Sequence, residues 1–329
     1  MKWRFFAVLM IAAFANADIL LNANITALHH SDTKPNALFI GTDAGEIVEY
    51  DLAQKKFNPH FAIKLNSVQN YYEKDLGARI HSFDELANRF LIVSEGDFGT
   101  QNISVCRNFK IKADGDTGCA TIKSPFANIK KAFFIDKDTA LLALLSSEIK
   151  LVSLKDFAFV GAQIERKLPL LKEFKFSYTS LNDAVLDTQR QNLLVASESG
   201  ELQVFDTKAW KLLANYNKLH KDTLDQVDFK RGVIVSCGKE KKVGIVKAGE
   251  QRFLQAQSLV YACALSPNGD IAAFASNTNG KDNTELISTT NLKRVKLFDD
   301  DFFAKFIIFL NENELLIAGG KSILLRSVR

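Results

Sequence analysis

Short apolar runs and polar breaks alternate along this chain with a regularity that outlasts any single element. An apolar run of four to six residues is followed by a short polar or Gly-containing turn, a second alternating run and a polar break. The pattern reads ALFIGTDAGEIVEYD from Ala37, LLVASESGELQVFD from Leu193, GVIVSCGKEKKVGIVK from Gly232 and LLIAGGKSILLRS from Leu315. Runs this short, bounded by turn residues, predict strands and not helices. One such hairpin cannot bury its apolar face alone, so its recurrence predicts a propeller or a solenoid in which neighbours cover one another.

Aligning the copies places the second strand of each unit near Leu38, Phe90, Ala140, Leu193, Val233, Ile271 and Leu315, a repeat of about 40 to 50 residues, the length of a four-stranded propeller blade. Innermost strands are expected before them at 25–29, 79–83, 131–135, 183–186, 224–229, 260–265 and 304–310. The last unit ends after its third strand, whereas residues 18–24 form an apolar segment with no hairpin partner. That segment is expected to complete the last blade and so remove an open sheet edge. The predicted fold class is therefore all-β, a seven-bladed β-propeller closed by an N-terminal strand in the last blade; a β-solenoid would want shorter repeats and capped ends.

The first seventeen residues are expected to stand apart from this body. Lys2 and Arg4 precede an apolar stretch from Phe5 to Phe14, and Ala15-Asn16-Ala17 supplies a small-x-small cleavage site, the order of a Sec-type signal peptide cut after Ala17. The domain division is then 1–17 signal peptide and 18–329 one propeller, exported, soluble and monomeric. No later stretch reaches the roughly 18 apolar residues of a membrane span. With 42 Lys and Arg against 38 Asp and Glu, two of the cations leaving with the leader, the charge balance disfavours a nucleic-acid or membrane-surface binder.

Export gives the four cysteines meaning. Cys106 and Cys119 are expected to face each other across a hairpin in the second unit; Cys237 and Cys263 can meet only across adjacent blades; buried free thiols are the alternative for each pair. No C-x-x-C occurs, and no cofactor or metal site is predicted. His29 and His30 point to opposite sides of one strand, and His60, His81 and His220 lie in different units. The basic stretch 239–242 and the run 299–301 read as solvated turns. Tyr71, Tyr72, Lys74 and Arg79, in the connection entering the second unit, are the candidate partner-binding residues, because adjacent aromatics beside cations suit an interface anchor; the alternative is that one Tyr packs beneath the loop.

In the sixth unit, YACALSPNGDIAAFAS, Ser266-Pro267-Asn268-Gly269 puts Pro and Gly where a tight turn needs them. That motif inside a sevenfold repeat resembles the WD40-like and YVTN-like propeller families. The Gly-His and Trp-Asp dipeptides of eukaryotic WD40 proteins are absent, so their internal hydrogen-bond network is not to be assumed. Over ALFIGTDAGEIVEYDL, RFLIVSEGDFGTQNISV and NLLVASESGELQVFD the layout is similar to the NapL family of accessory proteins in periplasmic nitrate reductase systems. The resemblance implies a non-enzymatic periplasmic scaffold that assists the nitrate reductase, or its electron donors, through protein contacts. Two other classes stay open: a propeller enzyme, such as a calcium-dependent lactonase or other hydrolase, and a general envelope assembly scaffold.

Overall fold

The structure, a computed structural model, describes residues 18–31, 33–107, 118–155, 157 and 168–329. The expected leader, 1–17, lies outside the described residues. Within them the chain forms seven antiparallel four-stranded sheets. β1 (Ile19–Leu20) is followed by blade 1, β2 (Ile25–His30), β3 (Ala37–Thr42), β4 (Glu46–Asp51) and β5 (Lys56–Lys64). Blade 2 comprises β6 (Ile80–Leu86), β7 (Arg89–Glu95), β8 (Gln101–Arg107) and β9 (Cys119–Lys123); blade 3, β10 (Ile129–Asp136), β11 (Thr139–Leu144), β12 (Glu148–Ser153) and β13 (Leu170–Lys175). Blade 4 runs through β14 (Leu181–Leu186), β15 (Asn192–Ser197), β16 (Leu202–Asp206) and β17 (Leu212–Tyr216), and blade 5 through β18 (Leu224–Lys230), β19 (Val233–Gly238), β20 (Lys242–Lys247) and β21 (Glu250–Gln255). Blade 6 is β22 (Val260–Leu265), β23 (Ile271–Thr278), β24 (Lys281–Ser288) and β25 (Arg294–Phe298); β26 (Phe306–Asn311), β27 (Glu314–Gly319) and β28 (Ser322–Ser327) make blade 7 with β1 outermost.

The core lies between the sheets. Buried apolar residues separate into seven clusters, each shared by two adjacent blades, from blades 1 and 2 round to blades 7 and 1. The second strands are sandwiched on both faces, which is why they read as unbroken apolar runs: all six residues of β3 and of β19 are buried. Between blades 1 and 2, Phe39 and Phe90 meet edge to face at 4.8 Å, with Phe61 against both, an arrangement the ring quadrupoles favour. Outermost strands expose Leu171, Leu213 and Val295, but interleaved lysines and cross-strand ion pairs such as Lys150 with Glu173 blunt those edges.

The ring closes as expected, with a shorter strand than residues 18–24. Only Ile19 and Leu20 pair with β28, opposite Ile323 and Ser322; backbone bonds from Asp18 to Ile323, Leu21 to Lys321 and Ile25 to Gly320 extend the seam. Asp18 also accepts from the Leu325 amide and from Arg326, whose guanidinium holds Asp300 through two further bonds of 2.8 and 2.9 Å. Asp300 is thus a structural anchor within the run read as a solvated turn, and Asp301 accepts from the Asp282 amide. Both cysteine pairs are disulfides: Cys106–Cys119 joins residues directly opposite on β8 and β9, and Cys237–Cys263 joins blade 5 to blade 6.

On three innermost strands, β10, β18 and β22, amides left outside the ladder are satisfied by side chains of the preceding blade. Ser82 accepts from the Ala132 amide and Asp84 from Phe134; Asp183 accepts from Val227, Gln226 from Cys263 and Asp228 from Leu265. Arg190, in the β14–β15 turn, reaches across to clamp Asp84 at 2.6 and 3.1 Å and donates to the Phe134 and Glu85 carbonyls. One guanidinium therefore ties blades 2, 3 and 4. Asp84→Ala would leave that cation buried with carbonyls alone, and a loss of about 3 to 5 kcal/mol in urea unfolding is expected, partly recovered in Asp84→Leu/Arg190→Met; an effect below about 1 kcal/mol would show that the clamp contributes little.

Candidate docking face

Strand direction gives the disc two unlike faces. The upper face carries the connections from each outermost strand to the next innermost strand and the hairpins between second and third strands; the remaining hairpins form the lower face. On the upper face, side chains in the second-to-third hairpins fasten the inter-blade connections. Asp43 accepts from the backbone and side-chain amides of Asn24, Asp97 from the Gln69 amide, and Ser199 bonds to Thr179. Loops that would otherwise fray are held at defined places.

Blade 5 shows the tightest fastening. His220, in the β17–β18 connection, bonds through Nε2 to Ser236 Oγ at 2.8 Å and through Nδ1 to Glu240 at 3.2 Å. Burial pushes the imidazole down to about 4 against the partial opposition of Glu240, so near neutrality Nδ1–H donates to Glu240 and Nε2 accepts from Ser236. This corrects one expectation, since Glu240, within the stretch read as a solvated turn, belongs to an internal hydrogen-bond network that blade 5 carries without the Gly-His and Trp-Asp dipeptides. The order Ser, His, carboxylate resembles a nucleophilic relay, yet Ser236 is 0% exposed and His220 2%. Gly244 closes the site, since a Cβ there would lie 2.6 Å from both His220 Nε2 and Ser236 Oγ. No acyl group can reach Ser236, and the trio is a fastener.

The connection from β5 to β6 carries the sequence-predicted partner residues. It folds back on itself through the Val68–Leu76 bridge, the Tyr72 amide donates to Asn70, and the Phe98 amide donates to the Gln69 carbonyl. Gly77 lets it press on blade 1, for a Cβ there would meet the Ala44 Cα at 2.6 Å. On this fixed base Tyr71 and Tyr72 are 82% and 93% exposed; neither packs beneath the loop. Tyr71 leans on the exposed Phe98 with ring centroids 5.1 Å apart. Lys74 is exposed on the same loop, and Arg79, also exposed, lies immediately before β6, the innermost strand of blade 2.

Phe98 escaped the sequence reading, as did Tyr178, Leu259 and Phe303. With Tyr71 and Tyr72 these are the large exposed apolar side chains away from the outermost strands among the described residues, and all six lie on upper-face connections or hairpins. Phe303 stacks on Tyr261 at 4.9 Å, and the Tyr261 hydroxyl donates to Asp282; burial and that carboxylate raise the phenol's pKa. A plausible signal was present: each sits in a connection where only solubility would otherwise select the residue.

The channel itself opens toward the lower face as a cavity of about 550 Å³ lined by both His29 and His30, with Lys131, Asp183, Asp228 and Arg231. His30 Nε2 bonds to the Pro35 carbonyl, capping a turn. Its carboxylates are engaged: Asp183 holds the Val227 amide and Lys131, Asp228 two backbone amides. Among the described residues, no three His, Cys, Asp or Glu side chains converge as metal ligands.

No family profile and no curated protein matches the chain. Among solved structures it is similar to the β-propeller domain of Cps50 (Swd1) from Myceliophteria thermophila, with a TM-score of 0.69 and 12% identity over 95% of this chain and 99% of that one. It is likewise similar to the WD40 β-propeller domain of Doa1, with a TM-score of 0.64 and 12% identity over 94% of this chain and 95% of that one. At such identity the likeness carries the fold, a WD40-like seven-bladed propeller, and nothing finer.

The neutral His220 fixes a pH signature. Its folded pKa of about 4 lies below the unfolded value, so its contribution is complete above about pH 6.5 and is lost as pH falls from there toward 4, by about 3 kcal/mol. His220→Gln should flatten this part of the stability profile measured by urea unfolding at stepped pH.

Proposed function

We propose that this protein is a non-enzymatic docking scaffold whose upper face grips another protein. The observation that carries the reading is the confinement of Tyr71, Tyr72, Phe98, Tyr178 and Phe303 to that face, on loops already fastened before a partner arrives. Rigid exposed aromatics bury large area for little ordering cost, the profile of interface anchors. An enzyme reading draws less support, because the channel carboxylates serve backbone amides and the Ser–His–Glu trio of blade 5 is sealed.

The finer proposal is an exported accessory role toward periplasmic nitrate reductase subunits or their electron donors. Supporting it are the resemblance of the repeat layout in the sequence to the NapL family and two disulfides suited to an oxidising compartment. The test is capture from a periplasmic extract with the native chain and with Tyr71→Ala/Tyr72→Ala, both checked for unchanged melting. Nitrate reductase subunits retained by the native chain and weakened about 30-fold or more in the variant would support both levels of the proposal. Retention of outer-membrane assembly factors would replace the partner, and capture indifferent to the tyrosines would sink the docking face.

A further inference from the structure

A recurrent irregularity marks the upper mouth of the channel. In six inner strands the ladder skips the second residue, leaving a β-bulge at Thr26, His81, Lys130, Asn182, Asp225 and Tyr261. Bulges free a side chain from the ladder and re-aim it, and all six residues here carry a hydrogen-bonding group. Blade 7 lacks the bulge at this place but offers Lys305 immediately before β26, with Nζ 3.5 Å from the Ile25 carbonyl of blade 1.

Charge around this ring is lopsided. Lys305, Arg79, His81 and Lys130 follow one another on blades 7, 2, 2 and 3, and no carboxylate lies within ion-pair distance of any of them among the described residues. Arg79 bears on both neighbours: it lowers the pKa of Lys305 and of His81, behind desolvation in each case, with Asp43 opposing it at Lys305, Glu95 opposing it at His81, and Lys130 lowering that of His81 further. Between Lys305 and Arg79 sits Thr26, 9% exposed, whose Oγ1 has no hydrogen-bond partner. A buried hydroxyl without a partner is costly. Opposite the arc, on blade 5, stands Asp225, its pKa raised by burial.

We infer that the cationic arc Lys305, Arg79, His81 and Lys130, with the unpartnered Thr26 hydroxyl between its first two members, is an anion site that receives a carboxylate-rich segment of a protein partner. The inference rests on the docking reading and deepens it, since the aromatic anchors of the same face would seat apolar residues flanking that segment. Asp225 across the mouth sets its direction by repelling a second acidic end. A free phosphate shares the chemistry of a carboxylate but has nothing to place on Tyr71 or Phe303.

The test uses the full exported chain and two fluorescent probes, a hexaglutamate peptide and a peptide alternating Glu with Phe, with inorganic phosphate as competitor. At low ionic strength, where exposed charges are least screened, the Glu/Phe peptide should bind more tightly than hexaglutamate. Affinity for both should fall about tenfold or more in Arg79→Ala/Lys305→Ala and in Lys130→Glu, and stay unchanged in Lys230→Ala at the other end of the channel; melting curves establish that each variant is folded. Arg79→Lys should retain most of the binding. Absence of peptide binding, binding indifferent to the arc, or phosphate displacing both peptides at equal concentration would overturn the inference. Loss of partner capture in Tyr71→Ala/Tyr72→Ala with no peptide binding would sink the anion site while leaving the docking face intact; peptide binding without tyrosine-dependent capture would do the reverse.

Discussion

The structure depends on how a ring of sheets disposes of its inner edge. Each innermost strand pairs on one side only, and its remaining amides face a channel too narrow for another strand. Leaving them unbonded would cost on the order of 1 to 3 kcal/mol apiece. Ser82, Asp84, Asp183, Gln226 and Asp228 resolve this by accepting from the strand of the following blade. The same bonds fix blade 3 against blade 2, blade 5 against blade 4 and blade 6 against blade 5, so satisfying the edge also sets the geometry of those junctions. Apolar packing between sheets supplies the larger attraction but is non-directional; these acceptors make it specific.

A second layer of polar fastening sits above the first. Asp43, Asp97, Ser199 and Glu240 tie the inter-blade connections to the hairpins beside them. The two layers commit carboxylates and hydroxyls to backbone amides and to the side chains of neighbouring connections. The side chains left over, on the upper face, are large aromatics and a few cations at the channel mouth. Their availability is a consequence of what the fastenings did not consume.

The ring was largely legible before the structure. Second strands are buried on both faces, so they stand out as continuous apolar runs, and β3, β19 and β23 begin within a residue of their expected starts. The lone segment at Ile19 and Leu20 betrayed the closure because nothing nearby could pair with it. The inter-blade acceptors were harder to see: Ser82 and Asp84 fall on alternate positions, as do Gln226 and Asp228, but period-two polar residues in a strand ordinarily signal a solvated face. His220, Ser236 and Glu240 are separated by turns whose closure brings them together, so no local pattern could announce them. The exposed tyrosines were visible as residues, while their confinement with Phe98 and Phe303 to one face required the topology.

Tethering around the disc is uneven. A guanidinium spans blades 2, 3 and 4, a disulfide locks blade 5 to blade 6, and the ring is closed inside blade 7 by the two-residue ladder of β1 on β28, backed by Asp18 and Arg326. A pulling or twisting load would therefore not be shared equally by the sectors. It would concentrate where the ladder is shortest, as a bracelet yields at its fastening, and the connection from β5 to β6 would ride on the stiffer arc while the ring gives elsewhere.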